Sequence, residues 1–275
     1  MTDAISRIKK KYTYSMRLLK QLVITDFKLR YKGSVLGYVW TVLKPLMLFA
    51  VMYVVFINFL KFGADEPHFA VQLLLGIVLW NYFVEVTMNG MSAVVGKGDL
   101  MRKLSFPRYV VVIAGSFSAI INLAINLVVV LVLITLNGVA LSWAVLWIIP
   151  VILELFVLAL SIAMLLGALY VKLRDLNYIW ELLLQVGFYV TPIFYPMSLV
   201  IEHAGLTIAK LAMLNPMAQI IQDARYALVS TDVTTIWKLF DGGPYAYIPL
   251  AIVLILFVIA TLYFKKRSPY FAEEV

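Results

Sequence analysis

The chain contains no cysteine, which excludes a disulfide framework, a thiolate metal site and a cysteine nucleophile. Histidine is nearly as scarce: His68 and His203 are the two present and form no spaced cluster, so no metal site is expected. Charged residues make up only 14% of the 275, against 63% hydrophobic. With a mean hydropathy of +0.95, that composition lies outside the range of a soluble domain. A phosphate-cradling loop is missing as well. The nearest approach to G-x-x-x-x-G-K-[ST] runs from Gly90 to Gly96-Lys97, with one residue too many between the glycines and Gly98 where a magnesium-holding hydroxyl is needed. The chain itself is therefore expected to hydrolyse no ATP and to carry no cofactor. Nor is there the Asp/His/Ser cluster or magnesium carboxylate motif that an intramembrane glycosyl- or phosphotransferase requires.

Long apolar runs fill the space these residues leave. Residues 35–60, 69–88, 109–136, 143–170, 178–195 and 245–264 are each long enough to cross a bilayer core, which takes about 20 residues of helix. The expected fold is an all-α polytopic membrane protein with six transmembrane helices in one domain over residues 1–275. Positive charge is unevenly divided among the loops. Residues 1–34 carry nine Lys/Arg, 89–108 four, 171–177 two and the tail after Phe264 three, whereas the alternate loops hold only Lys61, Lys210, Arg225 and Lys238. The positive-inside rule then places both termini in the cytoplasm. The net charge of +8 follows from this topology and requires no nucleic acid. The first apolar run starts late and is too long for a signal-peptide core, so no cleavable leader is expected. Four charges fall inside the runs: Lys44, Glu85, Glu154 and Glu181. Glu85 and Glu154 are expected to hydrogen-bond between helices, and Glu181 to complement a helix N-terminus. No chain of acidic and histidine partners accompanies them, so proton coupling is not expected.

Several segments stand out. Residues 12–32 place apolar and basic side chains at helical spacing, as in a helix lying flat at the membrane interface, anchoring topology or packing on a cytosolic partner. At 100° per residue, Tyr38, Phe49, Tyr53, Phe56 and Phe59 share one face of the first run. That face serves either tight helix packing or the lining of a pathway. In the fifth run Glu181, Gln185, Phe188, Tyr189 and Pro192 lie within one arc and suit a second wall. The 97–108 loop, KGDLMRKLSFPR, reads as a short helix between Gly98 and Pro107, with Asp99 early, Arg102 and Lys103 late, and Phe106 as an exposed anchor. The outer segment 196–244 is expected to form a re-entrant or interfacial hairpin, its second helix capped by Asn215 and opened by Pro216. One side of that helix carries Met217, Ile220, Ile221, Ala224 and Leu228; the polar Gln219, Gln222, Asp223 and Arg225 lie elsewhere.

Five pieces recur together in one known order: LRYKGSVLGYVW at 29–40 with Lys44-Pro45-Leu46, RKLSFPR at 102–108, RDLNY at 174–178, YVTPIFYP at 189–196 and LNP at 214–216. This ordered set resembles polysaccharide-export permeases of the ABC-2 type, the membrane subunits of O-antigen and wall teichoic acid transporters. Lys44 departs from the pattern, which more often has Asn before the proline. The resemblance implies a half-transporter of the bacterial cytoplasmic membrane: a homodimer paired with two cytoplasmic ATP-binding subunits that bind ATP and Mg. Together they would export a lipid-linked glycopolymer. In the lining reading of the two aromatic faces, Tyr38, Phe49, Tyr53, Phe56, Gln185, Phe188 and Tyr189 are expected to line the substrate pathway. Asp99, Arg102, Lys103, Phe106 and Arg108 would couple to the ATPase, and Gln222 and Arg225 would belong to an outer gate. Lys28, Arg30 and Lys32 are expected to gather the pyrophosphate-lipid head at the entrance. An ABC-2 subunit for a small drug or lipid is the rival reading.

Overall fold

The computed structural model describes residues 2–30, 33–63, 66–103, 106–140 and 142–274, without the side chains of residues 2–13, Arg30 and Ala272. The helices in chain order begin with α1 (Thr2–Arg30), α2 (Val39–Met52, continued as a π-helix over Tyr53–Phe59), α3 (Phe69–Gly96) and α4 (Gly98–Lys103). Next come α5 (Tyr109–Leu136), α6 (Ile148–Tyr170, preceded by a 3-10 turn at Trp143–Trp147), α7 (Leu176–Val190), α8 (Met197–Met213) and α9 (Pro216–Leu228). The chain closes with α10 (Ile236–Leu239), α11 (Ile248–Arg267) and α12 (Phe271–Glu274).

Five of the six expected spans are helices long and apolar enough to cross a membrane: Val39–Phe59, Phe69–Gly96, Tyr109–Leu136, Trp143–Tyr170 and Pro244–Tyr270. The run at 178–195 forms a shorter helix than expected. Helix α7 has 15 residues, about 22 Å at 1.5 Å per residue, against a core about 30 Å thick. It stops because Thr191 precedes Pro192 and takes the extended conformation (φ −80, ψ 135) that a following proline favours. The pair α8 and α9 is together long and apolar enough to cross a membrane but bends by 102° at its junction, as a broken span or a re-entrant loop does. Within 196–244, where a re-entrant or interfacial hairpin is expected, the two helices thus meet in an L, and α8 is itself broken at Gly205, whose φ of 85 only glycine adopts freely.

Helix α3 is the axis of the bundle. Along its membrane window 78% of residues are buried, against 6% for α2, so α2 sits at the rim with its apolar surface facing outward. Helix α3 packs on α5 and α6, and its crossing with α6 leaves no room for a Cβ at two glycines. A Cβ added at Gly90 would lie 2.4 Å from the Ala163 Cβ, and one at Gly167 would lie 2.8 Å from the Gly90 carbonyl oxygen. Small residues at such a crossing let helices gain van der Waals contact, since lipid supplies no hydrophobic drive between them. Replacing Gly90 with Ala is therefore expected to push α3 and α6 apart and to destabilise the protein by about 1–3 kcal/mol. Chemical unfolding in detergent measures this, and an unchanged midpoint would contradict the close contact.

Candidate functional site

Four regions of the bundle carry polar or aromatic groups beyond what packing needs. The first is an aromatic bridge. The π-helix at Tyr53–Phe59 alters the 100° rule on which a single aromatic stripe rests, because its hydrogen bonds close one residue later, as in Leu60 N–H to the Val55 carbonyl at 3.0 Å. The stripe is consequently split. Phe56 turns inward onto Phe194, with ring centroids 4.6 Å apart, while Phe59 is 78% exposed. Phe194 also meets Phe188 at 6.0 Å and Tyr189 at 5.7 Å, and Phe188 meets Trp80 of α3 at 6.0 Å. Of the seven expected pathway residues, Phe56, Phe188 and Tyr189 are thus joined through Phe194. Phe49 and Tyr53 form a separate pair at 5.8 Å, Tyr38 stacks on Phe27 of α1 at 5.0 Å, and Gln185 is exposed on α7. Trp180 secures α7 by donating from Nε1 to the Thr87 hydroxyl of α3 at 3.1 Å. Phe194 stands in the YVTPIFYP run, so its neighbourhood was readable. Trp80 and Trp180 gave no signal because their contacts are with residues distant in the chain.

The second region is the seat of α9. Arg225 is fully buried: Nη2 donates to the Ile193 carbonyl at 2.6 Å and Nε to the Gln72 carbonyl at 3.2 Å, while the guanidinium lies over the Phe69 ring at 5.9 Å. One side chain thereby ties α9 to α3 and to the turn after α7. Gln222, 1% exposed, is 3.5 Å from Arg225 Nη1 through its Oε1. On the other flank Gln219 Nε2 donates to Asp223 at 2.6 Å and to Glu154 of α6 at 3.3 Å, the interhelical bond expected for Glu154. The expected cap is present as well, with Asn215 Oδ1 accepting from Met217 N–H at 3.0 Å. Gln222 and Arg225 were expected at an outer gate. Both are enclosed, because α3 covers the face of α9 that its helical pattern left polar.

The third region is the basic end. Asp26 of α1 pairs with Lys97 at 2.6 Å, Glu274 of the tail takes Arg267 at 2.9 Å and Lys172 at 3.5 Å, and Arg108 donates to the Ser268 carbonyl. The four Lys/Arg-rich segments thus gather at one end of the bundle. In α4, Met101 is buried while Asp99, Arg102 and Lys103 are exposed. Phe106, expected as an exposed anchor, is half-buried and packs on the core, which fixes the loop to the membrane bundle. Arg108 is likewise engaged with the tail. Of the expected entrance cations, Lys28 is exposed on α1, the side chain of Arg30 is not described, and Lys32 lies outside the described residues. Helix α1, continuous from Thr2 to Arg30, packs against α5.

Between α2, α3 and α5 lies a polar crevice of about 360 Å³. Pro45 explains part of its wall. A proline has no N–H to give the carbonyl four residues back, so the Thr41 carbonyl is left open, and Asn126 Nδ2 of α5 donates to it at 3.2 Å. Asn122 Nδ2 donates to Glu85 at 2.8 Å, the interhelical bond expected for Glu85. Lys44 is exposed and lines the same crevice. Among the described residues no group of three or more His, Cys, Asp or Glu is placed to hold a metal ion.

A family model described as ABC-2 type transporter matches residues 17–229. The chain is 27% identical over 271 residues to the O-antigen export system permease protein RfbA of Myxococcus xanthus, covering 98% of this chain and 100% of that protein. It is 29% identical over 275 residues to the protein of the same name from Klebsiella pneumoniae, covering 97% and 98%. A second Klebsiella pneumoniae RfbA is 28% identical over 275 residues with the same coverage.

Proposed function

The chain belongs to the ABC-2 type transporter family, and from that premise we propose that it is the permease subunit of an exporter for a polyprenyl-pyrophosphate-linked polysaccharide of the O-antigen or teichoic acid type. The observation that carries this reading is similarity to O-antigen export permeases along essentially the whole of both chains, outer helices and tail included. In this reading two copies pair, and separate cytoplasmic subunits bind ATP and Mg and supply the work. The outward apolar surfaces of α2 and α7 are consistent with pairing: Val39, Trp40, Leu182 and Val186 are each at least 45% exposed. The gathering of basic segments at one end supports a cytoplasmic placement of both termini. There the exposed Asp99, Arg102 and Lys103 form the surface on which an ATPase would push. The aromatic bridge around Phe56, Phe194 and Tyr189 offers flat apolar faces to the CH faces of sugars without the directional grip that would stall a moving polymer.

The test is ATP hydrolysis by the chain reconstituted with its ATPase in liposomes. Stimulation by a polyprenyl-pyrophosphate-linked oligosaccharide and none by small amphiphilic drugs is the expected result. Stimulation by drugs alone would replace this reading with a small-molecule exporter.

A further inference from the structure

The last residues of a chain are usually poorly ordered unless something ties them down. Here residues 268–274 are tied at several points. Arg108, from the loop after α4, donates to the Ser268 carbonyl. The Phe271 ring is fully buried, its centroid 5.2 Å from that of Phe264 on α11. Glu274 accepts from Arg267 Nη2 through both oxygens, at 2.9 and 3.0 Å, and its Oε1 lies 3.5 Å from Lys172 Nζ. The Glu274 side chain is only 26% exposed, so water screens these pairs less than it would on an open surface. One carboxylate shared by two cations on different segments also fixes the distance between those segments.

The ties lead to different places. Lys172 belongs to the loop that enters α7, Arg267 and Phe264 to α11, and Arg108 to the start of α5. Among the described helices, α12 is the one on which α4 chiefly packs. Met101 of α4, Val171 and Phe271 belong to the same buried cluster. The outer face of α4 carries the exposed Asp99, Arg102 and Lys103, and the side behind it rests on the tail. A push on α4 therefore meets α12 first, and Glu274 is the residue that hands it on to the loop before α7. Helix α7 carries Phe188 and Tyr189 of the aromatic bridge.

We propose that the tail is a coupling strut, in which Glu274, held on α12, is a positioning residue that passes movement of α4 to residues 171–175 and so to α7. The strut rests on the reading above in which an ATPase works against α4.

The experiment is hydrogen exchange on the full chain bound to its ATPase in phospholipid nanodiscs, with and without a non-hydrolysable ATP analogue. In the parent complex the nucleotide should change exchange in α4 and in residues 171–180 alike. Glu274→Gln keeps the size of the side chain and removes its charge. In that variant the response of α4 should persist, while the response of 171–180 should shrink about fivefold, the lower end of coupling between two sites. A parent in which 171–180 does not respond, or a variant in which it responds as fully as the parent, overturns the proposal. Loss of the α4 response in the variant also overturns it, because the tail would then only hold the fold or the ATPase. A second variant separates coupling from stability. Lys172→Cys with Glu274→Cys introduces the sole cysteines of the chain; it should lose the 171–180 response and regain it when a short bismaleimide joins the pair. Failure to regain it rejects the strut. Glycolipid-stimulated ATP hydrolysis tests the export reading separately. Its absence from a parent whose 171–180 response depends on Glu274 rejects export and keeps the strut; its presence without that dependence keeps export and rejects the strut.

Discussion

Replacing Arg225 with Ala is expected to release helices α8 and α9 and lower stability by about 3–5 kcal/mol, a large fraction of the roughly 5–15 kcal/mol margin of an ordinary domain. The magnitude follows from what the side chain holds. It is the only fully buried charged side chain among the described residues, and its guanidinium donates to two backbone carbonyls on different elements, Ile193 and Gln72. A bond from a charged donor contributes about 1.5–3 kcal/mol, and each abandoned carbonyl is left in a water-poor interior. Arg225→Lys should recover part of the loss, since one ammonium cannot reproduce a fork that spans two acceptors. Hydrogen exchange should rise first in α9 and in residues 191–196, before α3 is affected. An Arg225→Ala protein that unfolds within about 0.5 kcal/mol of its parent, with α9 still protected, would show that these bonds contribute little.

Reversing Arg102 and Lys103 together to Glu is expected to abolish export while leaving the membrane subunit folded. Both side chains are exposed on α4, whereas the helix is held from behind by buried Met101 and, through the adjoining loop, by Phe106 and Arg108. Phe106 is left out of this variant because its ring packs on the core. If the ATPase docks here, two charge reversals should weaken its binding on the order of 100-fold, as when paired interface charges are opposed. Co-purification of the ATPase and export of glycan provide the readout. Unchanged values for both would move the docking surface elsewhere, with the exposed face of α1 the next place to look.

The sequence by itself determined the class of the protein and the position of most of its helices. Five apolar runs became helices long and apolar enough to cross a membrane, near their expected bounds, because length and hydropathy are one-dimensional quantities and a bilayer asks for little else. The Asn215-Pro216 cap was equally readable, since capping depends on immediate neighbours. So was the interhelical bonding of Glu85 and Glu154, which hydrocarbon would not otherwise tolerate, although their partners Asn122 and Gln219 were not. The order of motifs was legible too, and it agrees with the family to which residues 17–229 belong.

Tertiary structure decided what depends on a neighbour distant in the chain. Helix α9 looks amphipathic alone, with Arg225 and Gln222 off its apolar side, yet both are enclosed because α3 and the turn at 191–196 close over them. The aromatic stripe of the first span was derived at a fixed angle per residue, and the π-helix at Tyr53–Phe59 moved Phe56 onto Phe194 and left Phe59 outside. Thr41 and Asn126, 85 positions apart, meet because Pro45 frees a carbonyl and α5 runs beside it. Periodicity tells which residues share a helix face; only the packed bundle tells what that face meets, and burial, pairing and the crevice all follow from that second fact.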